Sequence, residues 1–164
     1  SEMPQYFVNL ADKNFNTHKL WLQNDENKVI SQIKKKINAI AVISGYKITP
    51  ELMKSMTNLK IIACYGVGYD AIDIAYAKSL GIKVTNTPEV LNDEVADTAI
   101  ALMLCVYRQI LEADKFARNN SWVNGEFPLT KKFSGSKLGI VGMGRIGKAI
   151  AKRAEAFNCT ISYH

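Results

Sequence analysis

Three glycines in one six-residue run offer the clearest chemistry in the sequence. The run Gly142-Met143-Gly144-Arg145-Ile146-Gly147 has the spacing G-x-G-x-x-G, follows an apolar segment over residues 138–141 and precedes a helical pattern. In such a setting the first glycine permits a tight turn, the second lets a pyrophosphate approach the backbone, and the third lets the helix pack closely on the strand. The free N–H groups at the helix start attract phosphate oxygens. We therefore predict a dinucleotide site, with Arg145 either adding positive charge near the phosphates or lying in solvent on the helix.

A second glycine run, Gly66-Val67-Gly68-Tyr69-Asp70-Ala71, has the spacing G-x-G-x-x-A and also separates a strand pattern from a helix pattern. Glu89 follows about 20 residues later, which is where an acidic ribose ligand would stand in a nucleotide site. The N–H groups of Val67 and Gly68 at a helix start suit a carboxylate equally well. Three interpretations stay open at this point: a second nucleotide site, a site for another anion, or a tight turn without a ligand.

The elements that must position these turns alternate between short apolar strands and helices, a pattern typical of a parallel α/β sheet. The predicted strands are Tyr6–Leu10, His18–Leu22, Ile40–Ser44, Lys60–Tyr65, Ile82–Thr85, Lys137–Val141 and Cys159–Tyr163. The predicted helices are Asn27–Ala39, one beginning at Thr49-Pro50, Ala71–Ser79, one capped by Asn92 or Asp93, Leu111–Arg118 and Arg145–Phe157. We expect Asp70 to cap the Ala71–Ser79 helix, with Asp73 near its positive end.

The segment Ala99–Tyr107 is apolar on every side of its predicted helix. Such a helix is expected to be buried all round, between domains or between subunits. The alternation of strands and helices also halts near residues 92–100. We therefore predict two domains, over residues 3–97 and 98–164.

Composition limits the remaining function classes. The chain has 164 residues, of which 48% are hydrophobic, and a net charge of +6. The densest basic run, Lys34-Lys35-Lys36, has no aromatic residues interleaved, so a solvated helix face is favoured over a nucleic-acid site. The run Ala99–Tyr107 is far shorter than the roughly 18 residues that a membrane span needs. The chain start lacks the pattern of a secretory signal, and Ser1-Glu2 is interpreted as a remnant of cloning.

The cysteines and histidines indicate neither a metal site nor a disulfide framework. Cys64, Cys105 and Cys159 are odd in number and far apart, a usage that fits a cytoplasmic protein. The chain has only two histidines, His18 and His164. No metal ligand set is therefore predicted.

Four runs taken in order resemble the D-isomer-specific 2-hydroxyacid dehydrogenases, and most closely the hydroxypyruvate/glyoxylate and hydroxyphenylpyruvate reductases. The runs are Tyr65–Asp73 (YGVGYDAID), Gly81–Pro88 (GIKVTNTP), Asn92–Thr98 (NDEVADT) and Leu138–Gly147 (LGIVGMGRIG). The resemblance covers residues 40–164, and the first 40 residues share the family pattern only in outline.

The resemblance implies a flavodoxin-like parallel-sheet substrate lobe followed by the start of a Rossmann dinucleotide-binding domain. It places the substrate carboxylate on the N–H groups of Val67 and Gly68. It places NADP or NAD, with NADP slightly favoured, on Gly142, Gly144, Arg145, Ile146 and Gly147. It also implies a homodimer formed partly by the helix that starts at Asp93. Tyr46 and Tyr65 are candidates for the pocket wall, with a core or surface role as the alternative.

The family's catalytic arginine, acidic residue and histidine lie, in family order, after the second Rossmann strand. No position in this chain matches them, and neither His18 nor His164 inherits the role. The resemblance therefore implies reduction of a small 2-oxo acid by a longer protein, with no turnover by residues 1–164 alone, and identifies His164 as a truncation point. A dinucleotide-sensing protein similar to corepressors of the same family is the alternative. A flavodoxin-like interaction module with incidental glycine turns is a third.

Overall fold

The computed structural model describes residues 2–164, so Ser1 lies outside it. The chain forms two compact units, of which the first ends at Pro88 and the second comprises Glu89–His164. The division that the sequence pattern predicts, between residues 97 and 98, lies inside the helix Asn92–Arg108. Each unit contains its own parallel sheet.

The first unit contains a three-stranded parallel sheet in the order β1-β2-β3. The strands are β1 (Ala39–Ile43), β2 (Ile61–Tyr65) and β3 (Lys83–Thr85), and the helices are α1 (Gln5–Asn14), α2 (Glu26–Ile33), α3 (Pro50–Ser55) and α4 (Ile74–Ser79). Ile43 is in register with Tyr65, and Ala63 with Thr85. The carboxyl ends of the strands therefore lie at one edge of the sheet.

The core of this unit lies where the helices pack on the sheet. Met53 of α3 and Ile62 of β2 are fully buried, and Val42, Ile72 and Ile82 belong to the same cluster. α3 begins as the sequence predicts, because the Thr49 hydroxyl accepts a hydrogen bond from the Leu52 N–H at 3.2 Å and proline takes the first helical position.

Two predicted strands near the start of the chain are wrong. Tyr6–Leu10 lies in α1, because its inward-facing residues recur at helical spacing, with Met3 and Val8 buried and Phe7 half-buried. His18–Leu22 contains a 3₁₀ turn over Leu20–Leu22 and pairs with no strand among the described residues. The aromatic and β-branched composition of residues 6–10 favours a strand, but the helical spacing of the residues that pack inward stabilises a helix.

Two helix boundaries differ from the prediction by three residues or more. α2 ends at Ile33 instead of residue 39, and the Lys35 carbonyl accepts a hydrogen bond from the Asn58 amide at 2.6 Å. If α2 continued to residue 39, the Lys35 carbonyl would instead accept a hydrogen bond from a backbone N–H within the helix. α4 begins at Ile74, because Asp73 is the N-cap and accepts from the Tyr76 N–H at 2.8 Å, so Asp70 does not cap it.

The second unit contains two consecutive helices followed by a βαβ unit. Its elements are α5 (Asn92–Arg108), α6 (Ile110–Arg118), β4 (Lys137–Ile140), α7 (Arg145–Glu155) and β5 (Thr160–Tyr163). β4 and β5 pair in parallel across the α7 crossover. Phe133 is buried between the rings of Tyr107 and Phe157, at centroid distances of 5.3 and 5.2 Å.

The N-cap and the burial of α5 differ from the prediction. Leu91 is the N-cap and offers no side-chain hydrogen bond, so neither Asn92 nor Asp93 has that role. Ala96 and Ile100 are buried, but Leu102 is 61% and Val106 75% exposed. Within this chain the helix is therefore buried on one side only, and its other side is an exposed apolar surface.

No helix within residues 2–164 is both long and apolar enough to cross a lipid bilayer.

Candidate functional site

The turn formed by Gly66, Val67 and Gly68 follows β2 directly, at the carboxyl edge of the first sheet. Gly66 has φ +145°, a conformation that side chains with a Cβ rarely adopt. A Cβ at this position would overlap the Ser44 hydroxyl and lie 2.7 Å from the Ser44 Cβ. The glycine is therefore required both by its backbone angle and by the residue that follows β1.

The polar backbone groups of this turn are held by protein partners, with two exceptions. The Gly68 carbonyl accepts from the Ser44 hydroxyl at 2.7 Å, and the Val67 carbonyl accepts from the Asn86 amide at 2.8 Å. Gly66 exchanges two bonds with Thr87: its N–H donates to the Thr87 hydroxyl at 3.0 Å, and its carbonyl accepts from the Thr87 N–H at 2.9 Å.

The exceptions are the N–H groups of Val67 and Gly68, which donate to no protein acceptor among the described residues. Two adjacent unpaired donors can bind one carboxylate or another small anion. The turn does not begin a helix, because α4 starts only at Ile74. The attraction expected from a helix N-terminus is thus absent there, and an anion at this turn would be bound by backbone hydrogen bonds instead.

Both candidate wall tyrosines contact other elements of the first unit. The Tyr46 ring packs against the core and its hydroxyl donates to Glu26 Oε2 at 3.4 Å. Burial, and next the negative charge of Glu26, raise the pKa of Tyr46. The Tyr65 hydroxyl hydrogen-bonds that of Tyr6 on α1, which raises the pKa of Tyr6. These contacts give each ring a structural role, and they leave its role in a pocket wall a prediction.

The turn from Gly142 to Gly147 joins the end of β4 to the start of α7. Gly142 has φ +94°, and its N–H donates to the His164 carbonyl at 2.9 Å. Gly147 packs against Gly142 so closely that a Cβ would overlap the Gly142 carbonyl oxygen. The space where a Gly144 Cβ would stand is open.

The start of α7 is suited to phosphate oxygens. Gly144 is its N-cap and offers no side-chain hydrogen bond, so the first N–H groups, including those of Arg145 and Ile146, lack an acceptor within the helix. Arg145 lies at the first helical position with its side chain 58% exposed, and its guanidinium is 3.4 Å from Glu89 Oε1. Residues 142–147 therefore combine N–H donors, open space and one exposed cation, a set of features that fits a dinucleotide pyrophosphate.

The sequence makes Glu89 a candidate acidic ligand of a second nucleotide site. It lies in the second unit, has φ +72° and pairs with Arg145. The sequence did not suggest this pair, nor the roles of Ser44, Asn86 and Thr87 at the first turn. The roles of Ser44, Asn86 and Thr87 are indicated in the sequence only by their position directly after predicted strands, because residues at the carboxyl ends of parallel strands share one edge of the sheet.

Neither histidine places its imidazole in a described contact at either glycine turn, although the backbone of His164 adjoins the second turn through its carbonyl, which accepts from the Gly142 N–H. His18 is exposed in the loop before the Leu20–Leu22 turn, and His164 pairs through its backbone with Ile140. All three cysteines are free. Within the described residues no three His, Cys, Asp or Glu side chains lie close enough together to hold a metal ion.

Comparisons with known proteins confirm the resemblance. Residues 1–160 match the family described as D-isomer specific 2-hydroxyacid dehydrogenase, catalytic domain. Glyoxylate/hydroxypyruvate reductase A of Arabidopsis thaliana is 42% identical over 162 residues, which cover 99% of this chain and 52% of the relative. Hydroxyphenylpyruvate reductase of Plectranthus scutellarioides is 42% identical over 161 residues, which cover 98% of this chain and 51% of the relative. The chain thus spans about half the length of these curated relatives.

A solved structure confirms the α/β fold with parallel sheets. The NADPH-dependent glyoxylate/hydroxypyruvate reductase of Sinorhizobium meliloti, in complex with NADP and malonate, superposes with a TM-score of 0.82 at 37% identity. The superposition covers 99% of this chain and 50% of that one.

Proposed function

Because the chain belongs to the family of D-isomer-specific 2-hydroxyacid dehydrogenases, we propose that the complete protein reduces a small 2-oxo acid to the D-2-hydroxy acid with NAD(P)H. The substrate class is that of glyoxylate, hydroxypyruvate and hydroxyphenylpyruvate. The observation that carries the proposal is the pair of unpaired N–H groups at Val67 and Gly68. All three substrates share a carboxylate beside the 2-oxo group, and the carboxylate is the anion that two adjacent N–H donors can bind.

Binding at this turn orients the substrate. Each carboxylate oxygen accepts one N–H, which fixes the acid end and directs the 2-oxo group away from the turn. Charge-assisted hydrogen bonds of this kind are roughly twice as strong as neutral ones. Malonate, a small dicarboxylate, is bound by the Sinorhizobium meliloti relative, which supports a preference for small acids.

The cofactor belongs on the second glycine turn. Gly142, Gly144 and Gly147 give the backbone its close approach, while Arg145 and Ile146 offer N–H donors and Arg145 also offers charge. We favour NADP over NAD, because the Sinorhizobium meliloti relative is NADPH-dependent and contains NADP. When bound, the reduced nicotinamide supplies the hydride.

The proton that accompanies the hydride must come from a residue outside this chain. Protonation of the carbonyl oxygen needs a general acid within hydrogen-bond reach, and no position in residues 1–164 matches the family's arginine, acidic residue or histidine. We therefore propose that residues 1–164 bind but do not turn over substrate.

We further propose that the first unit belongs to the substrate domain and the second to the dinucleotide-binding domain. The boundary predicted between residues 97 and 98 then falls inside α5. The exposed apolar side of α5, including Leu102 and Val106, would be covered by a second copy of the protein. Light scattering on the complete protein tests this, and a monomer at micromolar concentration would contradict it.

Turnover of the complete protein, encoded by its whole gene, tests the main proposal. Glyoxylate, hydroxypyruvate and hydroxyphenylpyruvate are each supplied with NADPH or NADH, and cofactor oxidation is followed by absorbance. We expect reduction of at least one acid by the complete protein and none by residues 1–164 at an enzymatic rate. A complete protein that binds NADPH tightly but reduces none of these acids would instead support the dinucleotide-sensing alternative. Failure to bind either cofactor would favour the interaction module.

A further inference from the structure

Each of the three strands of the first sheet is followed by residues that form the proposed carboxylate-binding turn or contact it. Ser44 follows β1, the turn itself follows β2, and Asn86 and Thr87 follow β3. The parallel register brings these ends to the same edge. Residues separated by about 20 positions therefore meet at the turn without any insertion or long loop.

The electrostatic problem at this turn is that its carbonyl oxygens carry partial negative charge. A carboxylate bound at the Val67 and Gly68 N–H groups would be repelled by nearby carbonyl oxygens that lacked donors of their own. The Asn86 amide engages the Val67 carbonyl and the Ser44 hydroxyl engages the Gly68 carbonyl, at 2.8 and 2.7 Å. The buried Cys64 thiol lies 3.4 Å from the same Gly68 oxygen and adds a weaker donor.

Thr87 fixes the beginning of the turn. Its hydroxyl and its own N–H close two hydrogen bonds with Gly66, which hold the residue at φ +145°. Ser44 fills the space beside Gly66 that a Cβ would otherwise take. The turn is thus fixed in one conformation before any ligand arrives, which lowers the entropic cost of binding.

We propose that Ser44, Asn86 and Thr87 are positioning residues of the carboxylate site, which hold the turn so that its two unpaired N–H groups alone face the substrate. This inference rests on the proposed function. It assigns to the three side chains no contact with the substrate: each acts through the backbone of the turn. Its consequence is that they set the affinity for the acid and not the rate of hydride transfer.

Steady-state kinetics of the complete protein separate this role from a merely structural one. We expect Ser44→Ala and Asn86→Ala each to raise the KM for the 2-oxo acid about three- to tenfold, the range expected for losing one neutral hydrogen bond. The kcat and the KM for NADPH should stay within about twofold, because binding lost equally from ground and transition states raises KM alone. Ser44→Thr keeps the hydroxyl and should restore the KM.

Matched controls exist in the same unit. The Ser55 hydroxyl donates to the Leu52 carbonyl and the Asn58 amide to the Lys35 carbonyl, both away from the turn. Ser55→Ala and Asn58→Ala should leave the KM for the acid unchanged even where they lower the thermal stability. If Ser44→Ala does not fold, Asn86→Asp is the second test, since it replaces the donor with a negative charge and should raise the KM more than about tenfold.

Two outcomes contradict the proposals separately. An active complete protein in which Ser44→Ala and Asn86→Ala leave the KM for the acid unchanged overturns the positioning role but not the proposed function. A complete protein that reduces none of the acids overturns the proposed function. The positioning role is then judged by calorimetry with oxalate as the probe: weaker binding in both variants supports it, and equal or absent binding overturns it.

Discussion

Arg145 and Glu89 form an ion pair at the start of α7, within the proposed cofactor turn, with Nη1 of the arginine 3.4 Å from Oε1 of the glutamate. Arg145 is the one cation of the six-residue turn. A pyrophosphate placed on the α7 N–H groups would compete with Glu89 for that guanidinium. Glu89 would thus lower the electrostatic contribution of Arg145 to the binding of a dinucleotide.

Removing the charge of Glu89 should strengthen cofactor binding. We expect Glu89→Gln to lower the Kd for NADPH about two- to fivefold, because an exposed pair of this kind is worth up to about 1 kcal/mol. Arg145→Ala should raise the Kd, and adding Glu89→Gln to it should bring no further change. Fluorescence titration of the complete protein at low and high salt measures both effects. Glu94→Gln in the nearby first turn of α5 is the control, and an unchanged Kd in Glu89→Gln would show that the pair is irrelevant to the cofactor.

A second ion-pair group joins α7 to α5. The Arg153 guanidinium donates through Nε to Asp97 and through Nη2 to Asp93 at 3.0 Å, and these two carboxylates, Asp97 first, raise the pKa of Arg153. We expect Arg153→Ala to lower the unfolding midpoint by about 3 °C, a modest loss for a domain of this size. Arg153→Lys should recover only part, because an ammonium cannot bridge both carboxylates as the guanidinium fork does.

Scanning calorimetry measures this loss, and high salt should reduce it because the carboxylates are exposed. Lys152→Ala, one position away and exposed, is the control that should leave the midpoint unchanged. A loss of the same size at all salt concentrations would assign the effect to packing.

Glu51 in the first turn of α3 should give stability a defined pH dependence. Its own backbone N–H, and next the Thr49 hydroxyl, lower the pKa of Glu51 below its ordinary value. A folded-state pKa below the unfolded one means that the contribution is complete above the unfolded pKa and is lost as the pH falls through the folded one. The free energy of unfolding of Glu51→Gln should therefore be lower than that of the wild type near neutral pH. The two values should converge in acid, where the wild-type carboxylate is protonated. Glu126→Gln, in a loop, should leave the pH profile unaltered.

The chemistry-bearing turns could be predicted from the sequence because their signals are local. The glycine spacings 66–68 and 142–147 follow from backbone conformation and close approach, and both turns lie where the pattern predicts. The parallel sheets follow likewise from strand and helix alternation. Local rules failed where tertiary packing decided, as in α1, whose β-prone composition adopts a helix.

The partners of the turns could not be predicted because they are distant in the chain. Ser44 reaches Gly68 across 24 positions, and Arg145 reaches Glu89 across 56. A single sequence states which residues are polar but not which strand ends are neighbours. Asp73 rather than Asp70 caps α4 for a similar reason, since the turn before it extends further than its glycine pattern indicates.

Alanine substitutions at three glycines of the second unit should distinguish effects on folding stability from effects on cofactor affinity. At Gly147 a Cβ would overlap the Gly142 carbonyl, which is backbone and cannot move cheaply. At Gly144 and at Gly139 of β4 a Cβ would meet nothing within 4 Å. Gly147→Ala should therefore cost about 1–3 kcal/mol of folding free energy, the range of overpacked sites. Gly144→Ala should fold normally but lose NADPH affinity, because its methyl group occupies the space through which a pyrophosphate approaches the α7 N–H groups.

Gly139→Ala is the control that should change neither property. Thermal unfolding and NADPH titration of the complete protein give the two readouts for each variant. Normal stability with at least about tenfold weaker NADPH binding in Gly144→Ala, beside an unaltered Gly139→Ala, would place the pyrophosphate against Gly144. Equal affinity in Gly144→Ala and Gly139→Ala would show that the phosphates do not approach Gly144. The close packing of Gly147 on Gly142 would then serve folding and not cofactor binding.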